Sequence, residues 1–175
     1  MSGRAYIGIG SNLGDRIRRC QEAIRAIAEI AGIADMRISS FYETAPVPPA
    51  SGGWFVNGVV SATTTLTPDV LLRELLRIEQ SMGRAAERAR GEDRSIDLDL
   101  LLVGSQVVTQ PNFVLPHPQL HQRRFVLVPL CELDPDLYHP ILGVTVRQLL
   151  DHLDDPLPVT LLVPAVGSMA PGEDE

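Results

Sequence analysis

The chain has 175 residues, of which 45% are hydrophobic and 21% charged, with a formal net charge of −7; this is the profile of one soluble globular domain with a sizeable core. The negative balance argues against general nucleic-acid binding, which depends on cationic neutralisation of phosphates, and no apolar run approaches the roughly 18 residues of a membrane span. Met1-Ser2-Gly3-Arg4-Ala5-Tyr6 leads directly into a strand-like pattern without a secretory signal, so a cytoplasmic location is expected, and Cys20 and Cys131, which lack metal-ligand spacing, are expected to be reduced packing residues.

Ala5 to Gly10 has the short apolar and glycine character of a buried first strand. Asn12 and Asp15 resemble a capping box, after which Ile17, Cys20, Ile24, Ile27 and Ala31 recur at helical spacing up to a terminator at Gly32. The glycines of Gly8-Ile9-Gly10-Ser11-Asn12-Leu13-Gly14 do not make a dinucleotide fingerprint: the third comes one residue late, and Asp35 opens a second strand where an acidic residue should close one. That strand is expected from Ile33 to Tyr42, followed by an irregular proline- and glycine-rich loop over residues 43–53. Loops of this length are commonly functional.

Residues 54–64 are aromatic and β-branched, which predicts a third strand with Asn57 in its apolar middle. A buried asparagine needs partners for its amide, either neighbouring backbone or a planar heterocyclic ligand with matching donors and acceptors. Thr67-Pro68 begins a second helix, with Leu71, Leu75, Ile78 and Met82 as its buried stripe and Gly83 at its end. Residues 84–93 are charged and alanine-rich and can extend that helix or form a loop; the loop is expected, as a lid that must move. Gly104-Ser105 predicts a hairpin into Gln106-Val107-Val108, and short helices are expected over Phe125 to Leu133 and Val144 to Leu153.

Chemistry concentrates in Arg94-Ser95-Ile96-Asp97-Leu98-Asp99-Leu100-Leu101-Leu102-Val103. Alternation puts Ile96, Leu98, Leu100 and Leu102 on one strand face and Asp97 beside Asp99 on the other, where two like charges repel. A magnesium ion bridging them relieves the repulsion, while a solvated strand end is the plain structural alternative. All 15 cationic side chains are arginine, and Arg77, Arg84, Arg88, Arg90 and Arg94 precede the pair. Planar guanidinium forks so near a metal site suit phosphate oxygens, although a solvated basic loop has the same composition. Together with His117 and Arg123 these groups would handle a nucleoside triphosphate, yet no P-loop is present. The element order, roughly βαββαβ with additions, predicts an α+β sandwich of the ferredoxin-like kind, with an antiparallel-rich central sheet and helices on both faces.

Tyr6 to Gly14, Ser39-Ser40-Phe41-Tyr42-Glu43-Thr44, Phe55-Val56-Asn57, Gly83-Arg84, Arg94 to Asp99, and Leu115-Pro116-His117-Pro118 with Arg123 and Phe125-Val126-Leu127 resemble the 6-hydroxymethyl-7,8-dihydropterin pyrophosphokinases of folate synthesis. These motifs occur in that family's order over about residues 4 to 150. The resemblance implies a pyrophosphokinase domain over residues 1–164, and the small, acidic composition of 165–175 predicts a disordered tail. The resemblance also implies transfer of the β,γ-pyrophosphoryl unit of ATP to the pterin hydroxymethyl oxygen, leaving AMP; a monomer is expected. By motif match Asp97 and Asp99 hold two magnesium ions, Arg84 and Arg94 act from the lid on the triphosphate, and His117, Arg123 and Glu79 complete the ATP site. The pterin is expected between Phe55 and Phe125, read by Asn57 and the backbone of Thr44, Ala45, Pro46 and Val47.

One departure stands in the lid, where many members carry Trp-Gly-Pro and this chain has Gly91-Glu92-Asp93. Two other readings compete with the enzyme: a ferredoxin-like module that binds nucleotide or metal without turnover, and a kinase that forms ADP from another small alcohol.

Overall fold

The computed structural model describes residues 3–49, 52–83 and 95–165. Strand β1 (Gly3–Ser11) is the spine of the sheet, sending Ala5, Ile7 and Ile9 into one core and Tyr6 into another on the opposite face. It pairs antiparallel with β4 (Phe55–Thr64) on one side and β5 (Asp97–Val103) on the other. Ten-residue β4 also carries β2 (Ile33–Ile38) and β3 (Phe41–Thr44), and β3 carries the edge strand β8 (Val159–Val163), giving the order β5-β1-β4-β3-β8 with β2 also on β4. The architecture is α+β and ferredoxin-like, as the element order predicts.

Helices α1 (Arg16–Ala28) and α2 (Pro68–Ser81) cover one face, where Cys20, Ile24 and Ile27 from α1 and Leu71 and Leu75 from α2 meet Ile7, Ile9 and Val60. Each large aliphatic side chain buried there contributes about 2 kcal/mol relative to exposure. Helices α3 (Arg124–Leu133) and α4 (Val146–Asp151) cover part of the other face, packing Val126, Leu127, Leu130 and Val146 on Tyr6, Val59 and Leu101. Both cysteines are free thiols, and burial pushes the Cys20 thiol up to about 12.

The structure corrects several boundaries. Asp15, not Asn12, caps α1, accepting from Arg18 N at 3.2 Å, and the helix ends at Ala28 instead of running to Gly32. The expected strand over 33–42 is two strands. Ser39 breaks it by bonding Val59 through both its backbone N–H (2.9 Å) and its Oγ (2.8 Å), and Ser40 is caught by the Glu132 carboxylate of α3. This shift moves the chain to the lower half of β4, so that Thr44 faces Phe55.

The pattern of β5 breaks in a related way. Tyr6 faces Leu102 and Ile7 faces Leu100, which leaves Leu101 as an extra residue; Leu102 therefore joins the core under α3 rather than the Leu98 and Leu100 face. After Gly104, strand β6 (Val108–Gln110) pairs not with β5 but with β7 (Phe113–Leu115), so the hairpin lies one turn later than expected. Helix α4 is shorter than the 144–153 pattern, and β8 carries no strong signal in the sequence. Ala165, expected in the tail, donates its N–H to Ser40 Oγ at 2.8 Å, whereas the rest of the expected tail lies outside the described residues.

Candidate active site

The second face of the sheet is only half covered, and the open half is a cleft of about 720 Å³. Its floor is a row of three strands. Gly8 of β1 stands between Val59 of β4 and Asp99 of β5, and Gly10 stands between Asn57 of β4 and Asp97 of β5. The glycines leave this floor flat. A Cβ on Gly10 would meet Asn57 Oδ1 at 2.5 Å, so any other residue would displace that amide.

Asn57 is nearly buried, and its Nδ2 donates to the Thr44 hydroxyl at 2.6 Å. One end of the amide is thus held by the protein while the residue still lines the cleft. Thr44 begins the loop of Ala45, Pro46 and Val47 that forms one wall, and Phe55 stands beside it. The far end of this loop is tied down by Asn12 Nδ2 donating to Gly53 O at 3.3 Å and by Arg16, which donates to Trp54 O at 2.8 Å and pairs with Glu43 at 2.7 Å.

The opposite wall carries His117, Arg123 and Phe125. The bulge in β5 explains the position of the first, because the Leu101 carbonyl accepts from His117 N at 2.9 Å. His117 Nδ1 accepts from Gln119 N at 3.2 Å, so the neutral ring carries its proton on Nε2 as a donor. Burial, helped by the neighbouring Arg123 and opposed by Asp97, holds the His117 pKa below its ordinary value. The Arg123 guanidinium lies 5.5 Å from the centroid of the Phe125 ring, a cation–π arrangement that couples the two side chains.

Asp97 and Asp99 are both partly exposed on the cleft side, two residues apart on one face. Among the described residues no group of three or more His, Cys, Asp or Glu is placed to hold a metal. An all-oxygen pair open to solvent fits magnesium, which keeps several waters and takes the remaining ligands from one or two carboxylates and from phosphate oxygens.

A family model for 7,8-dihydro-6-hydroxymethylpterin-pyrophosphokinase matches residues 6–135. The chain belongs to this family. It is 39% identical over 151 residues to the 2-amino-4-hydroxy-6-hydroxymethyldihydropteridine pyrophosphokinase of Haemophilus influenzae, covering 85% of this chain and 94% of that one. It is 42% identical over 151 residues to the enzyme of the same name from Methylorubrum extorquens, covering 86% and 94%. In fold it resembles the wild-type Plasmodium falciparum HPPK-DHPS chain crystallised with pteroate, with TM-score 0.65 at 15% identity over 86% of this chain; it spans 42% of that longer chain.

Of the residues expected at a pyrophosphokinase site, Thr44, Ala45, Pro46, Val47, Phe55, Asn57, Asp97, Asp99, His117, Arg123 and Phe125 come together around one cleft. Arg84, Arg94 and the Gly91-Glu92-Asp93 departure lie outside the described residues. Glu79 is buried away from the cleft wall, and its carboxylate accepts from Leu98 N at 2.7 Å, the amide between the two aspartates. Gly8 and Gly10 also belong to the site, although the sequence motifs assign them no role in it. Their signal was the same two-residue alternation that exposes the aspartates, with glycines in a strand interior marking close approach.

Proposed function

We propose that this cleft binds ATP and 6-hydroxymethyl-7,8-dihydropterin side by side and transfers the β,γ-pyrophosphoryl group to the hydroxymethyl oxygen, releasing AMP and the pterin pyrophosphate for tetrahydrofolate synthesis. The observation that carries the reading is the floor itself, where Asn57 and the Asp97/Asp99 pair flank Gly8 and Gly10 across β1. An amide that can read a heterocycle and a carboxylate pair that can hold metal-bound phosphates are thus one strand apart from each other, with no side chain between them.

On this reading Asp97 and Asp99 hold two magnesium ions, which when bound supply charge neutralisation for the triphosphate and polarise the attacking hydroxyl. The chain's own groups do the rest. Phe55 and Phe125 sandwich the pterin, Asn57 and the backbone from Thr44 to Val47 hydrogen-bond its edge, and stacking with hydrogen bonds fixes the hydroxymethyl arm toward the aspartates. His117 offers its Nε2–H and Arg123 its guanidinium to phosphate oxygens, and Arg84 and Arg94 are assigned to the same oxygens by motif match alone. Glu79 acts from beneath: by fixing the Leu98 amide it sets the register at which both carboxylates are presented. The protein is read as a cytoplasmic monomer, and light scattering giving one chain's mass tests that part.

The test is the nucleotide product. ATP, the hydroxymethyl pterin and magnesium should yield AMP and no ADP, and Asp97→Ala should lower kcat by about a thousandfold or more with little change in melting temperature. ADP as the product, or full activity in Asp97→Ala, refutes the assignment. ATP binding without turnover would instead support the non-catalytic module.

A further inference from the structure

Helix α3 presents both Arg123 and Phe125 to the cleft from its first turn, and that turn has an unusual beginning. The first amides of a helix need acceptors from outside it, usually supplied by a Ser, Thr, Asp or Asn side chain at the N-cap. Here the N-cap residue is Arg123, whose side chain holds donors only and makes no capping bond. The position that should cap the helix is taken by a ligand-gripping cation. The missing acceptor arrives from 31 residues downstream: Asp155 Oδ2 accepts from Arg124 N at 2.9 Å.

The contact is reciprocal. Arg124 Nε donates to Asp155 O at 3.0 Å and its NH2 group to Leu153 O at 3.2 Å, while Asp155 Oδ1 accepts from Leu157 N at 3.0 Å and braces the carboxylate. Arg124 itself lies between the two cleft residues and faces the other way, into the 153–157 segment. That segment falls outside residues 6–135, the span matched by the family model.

We propose that Asp155 is a positioning residue for catalysis: a cap supplied from the C-terminal segment that locks the first turn of α3, and with it sets Arg123 for the triphosphate and Phe125 for the pterin at once. The inference rests on the active-site reading above. It makes one substitution remote from both substrates act on both. A carboxylate that merely stabilised the fold would not do this.

The experiment measures KM for ATP, KM for the hydroxymethyl pterin, and kcat in the full-length chain. Asp155→Ala should raise both KM values about fivefold, with a smaller effect on kcat, and Asp155→Asn, which keeps an acceptor for Arg124 N, should recover most of the loss. Ile27→Val, a one-methyl deletion in the core on the opposite face, is the stability control and should leave both KM values unchanged. Arg123→Ala and Phe125→Ala separate the two layers of the argument. If they raise the KM for ATP and for pterin respectively while Asp155→Ala raises neither, the positioning role is overturned. A rise in Ile27→Val equal to that in Asp155→Ala also overturns it, since it marks general destabilisation. If Arg123→Ala and Phe125→Ala change nothing, the active-site reading fails and the inference falls with it.

Discussion

The two faces of the sheet are built from the same strands and do opposite things. The face under α1 and α2 is closed by aliphatic side chains, with Ile7, Ile27, Leu71 and Leu75 fully buried. The face under α3 and α4 is closed over Tyr6, Val59, Leu101 and Leu102, while the same strands present Gly8, Gly10, Asn57, Asp97 and Asp99 to an open cleft. Residues one position apart in β1 and β5 therefore answer to different constraints. Odd positions of β1 carry fold stability, and its even positions beyond Tyr6 carry space.

Substitutions on the two faces should separate stability from chemistry. The largest effect is expected for Leu75→Ala on the closed face, a fully buried leucine whose loss leaves a cavity costing about 2–5 kcal/mol, read as a fall in the urea midpoint. Its KM values should be those of the wild type while the protein stays folded. A large KM change there would mean that the faces are mechanically coupled. Gly10→Ala should do the reverse. Its new methyl is driven against Asn57 Oδ1, so the KM for pterin should rise roughly tenfold, about 1.4 kcal/mol, with a smaller loss of stability. An unchanged pterin KM would remove Asn57 from the list of pterin contacts.

This division was legible in the sequence where alternation alone decides it. Asp97 and Asp99 are conspicuous because the leucines around them set a period of two, and Asn57 because it is a polar residue inside an aromatic and β-branched run. What broke the period was not legible. The extra residue Leu101 in β5 depends on how β1 pairs across from it, and it is this bulge that turns Leu102 over and frees a carbonyl to hold His117. The break at Ser39 depends on a carboxylate 92 residues away from Ser40. The cap on α3 likewise comes from a distant aspartate, because the local residue is an arginine. Local pattern shows which side chains are out of place; tertiary partners show why the backbone lets them be there.

The smallest effect tests whether the covering of the active-site face can be loosened by itself. The chain between α3 and α4 turns on His139, which is buried, bonds Val144 through its N–H at 2.8 Å, and accepts at Nδ1 from Leu142 N at 3.1 Å and Ile141 N at 3.3 Å. Burial, followed by the nearby His121, holds its pKa below the ordinary value of about 6.5. Above that value His139 is neutral whether the chain is folded or not, and its contribution is fully present. As pH falls below 6.5 the unfolded chain takes up the proton first, so stability declines from there down through the depressed folded pKa. His117 shifts in the same direction, so the wild-type slope contains both residues. His139→Asn keeps an acceptor near Nδ1 but cannot titrate, and its urea midpoint should fall less between pH 7.5 and about pH 5 than that of the wild type. Equal slopes would mean that protonation of His139 does not loosen the α3–α4 corner, leaving acid sensitivity of this face to His117.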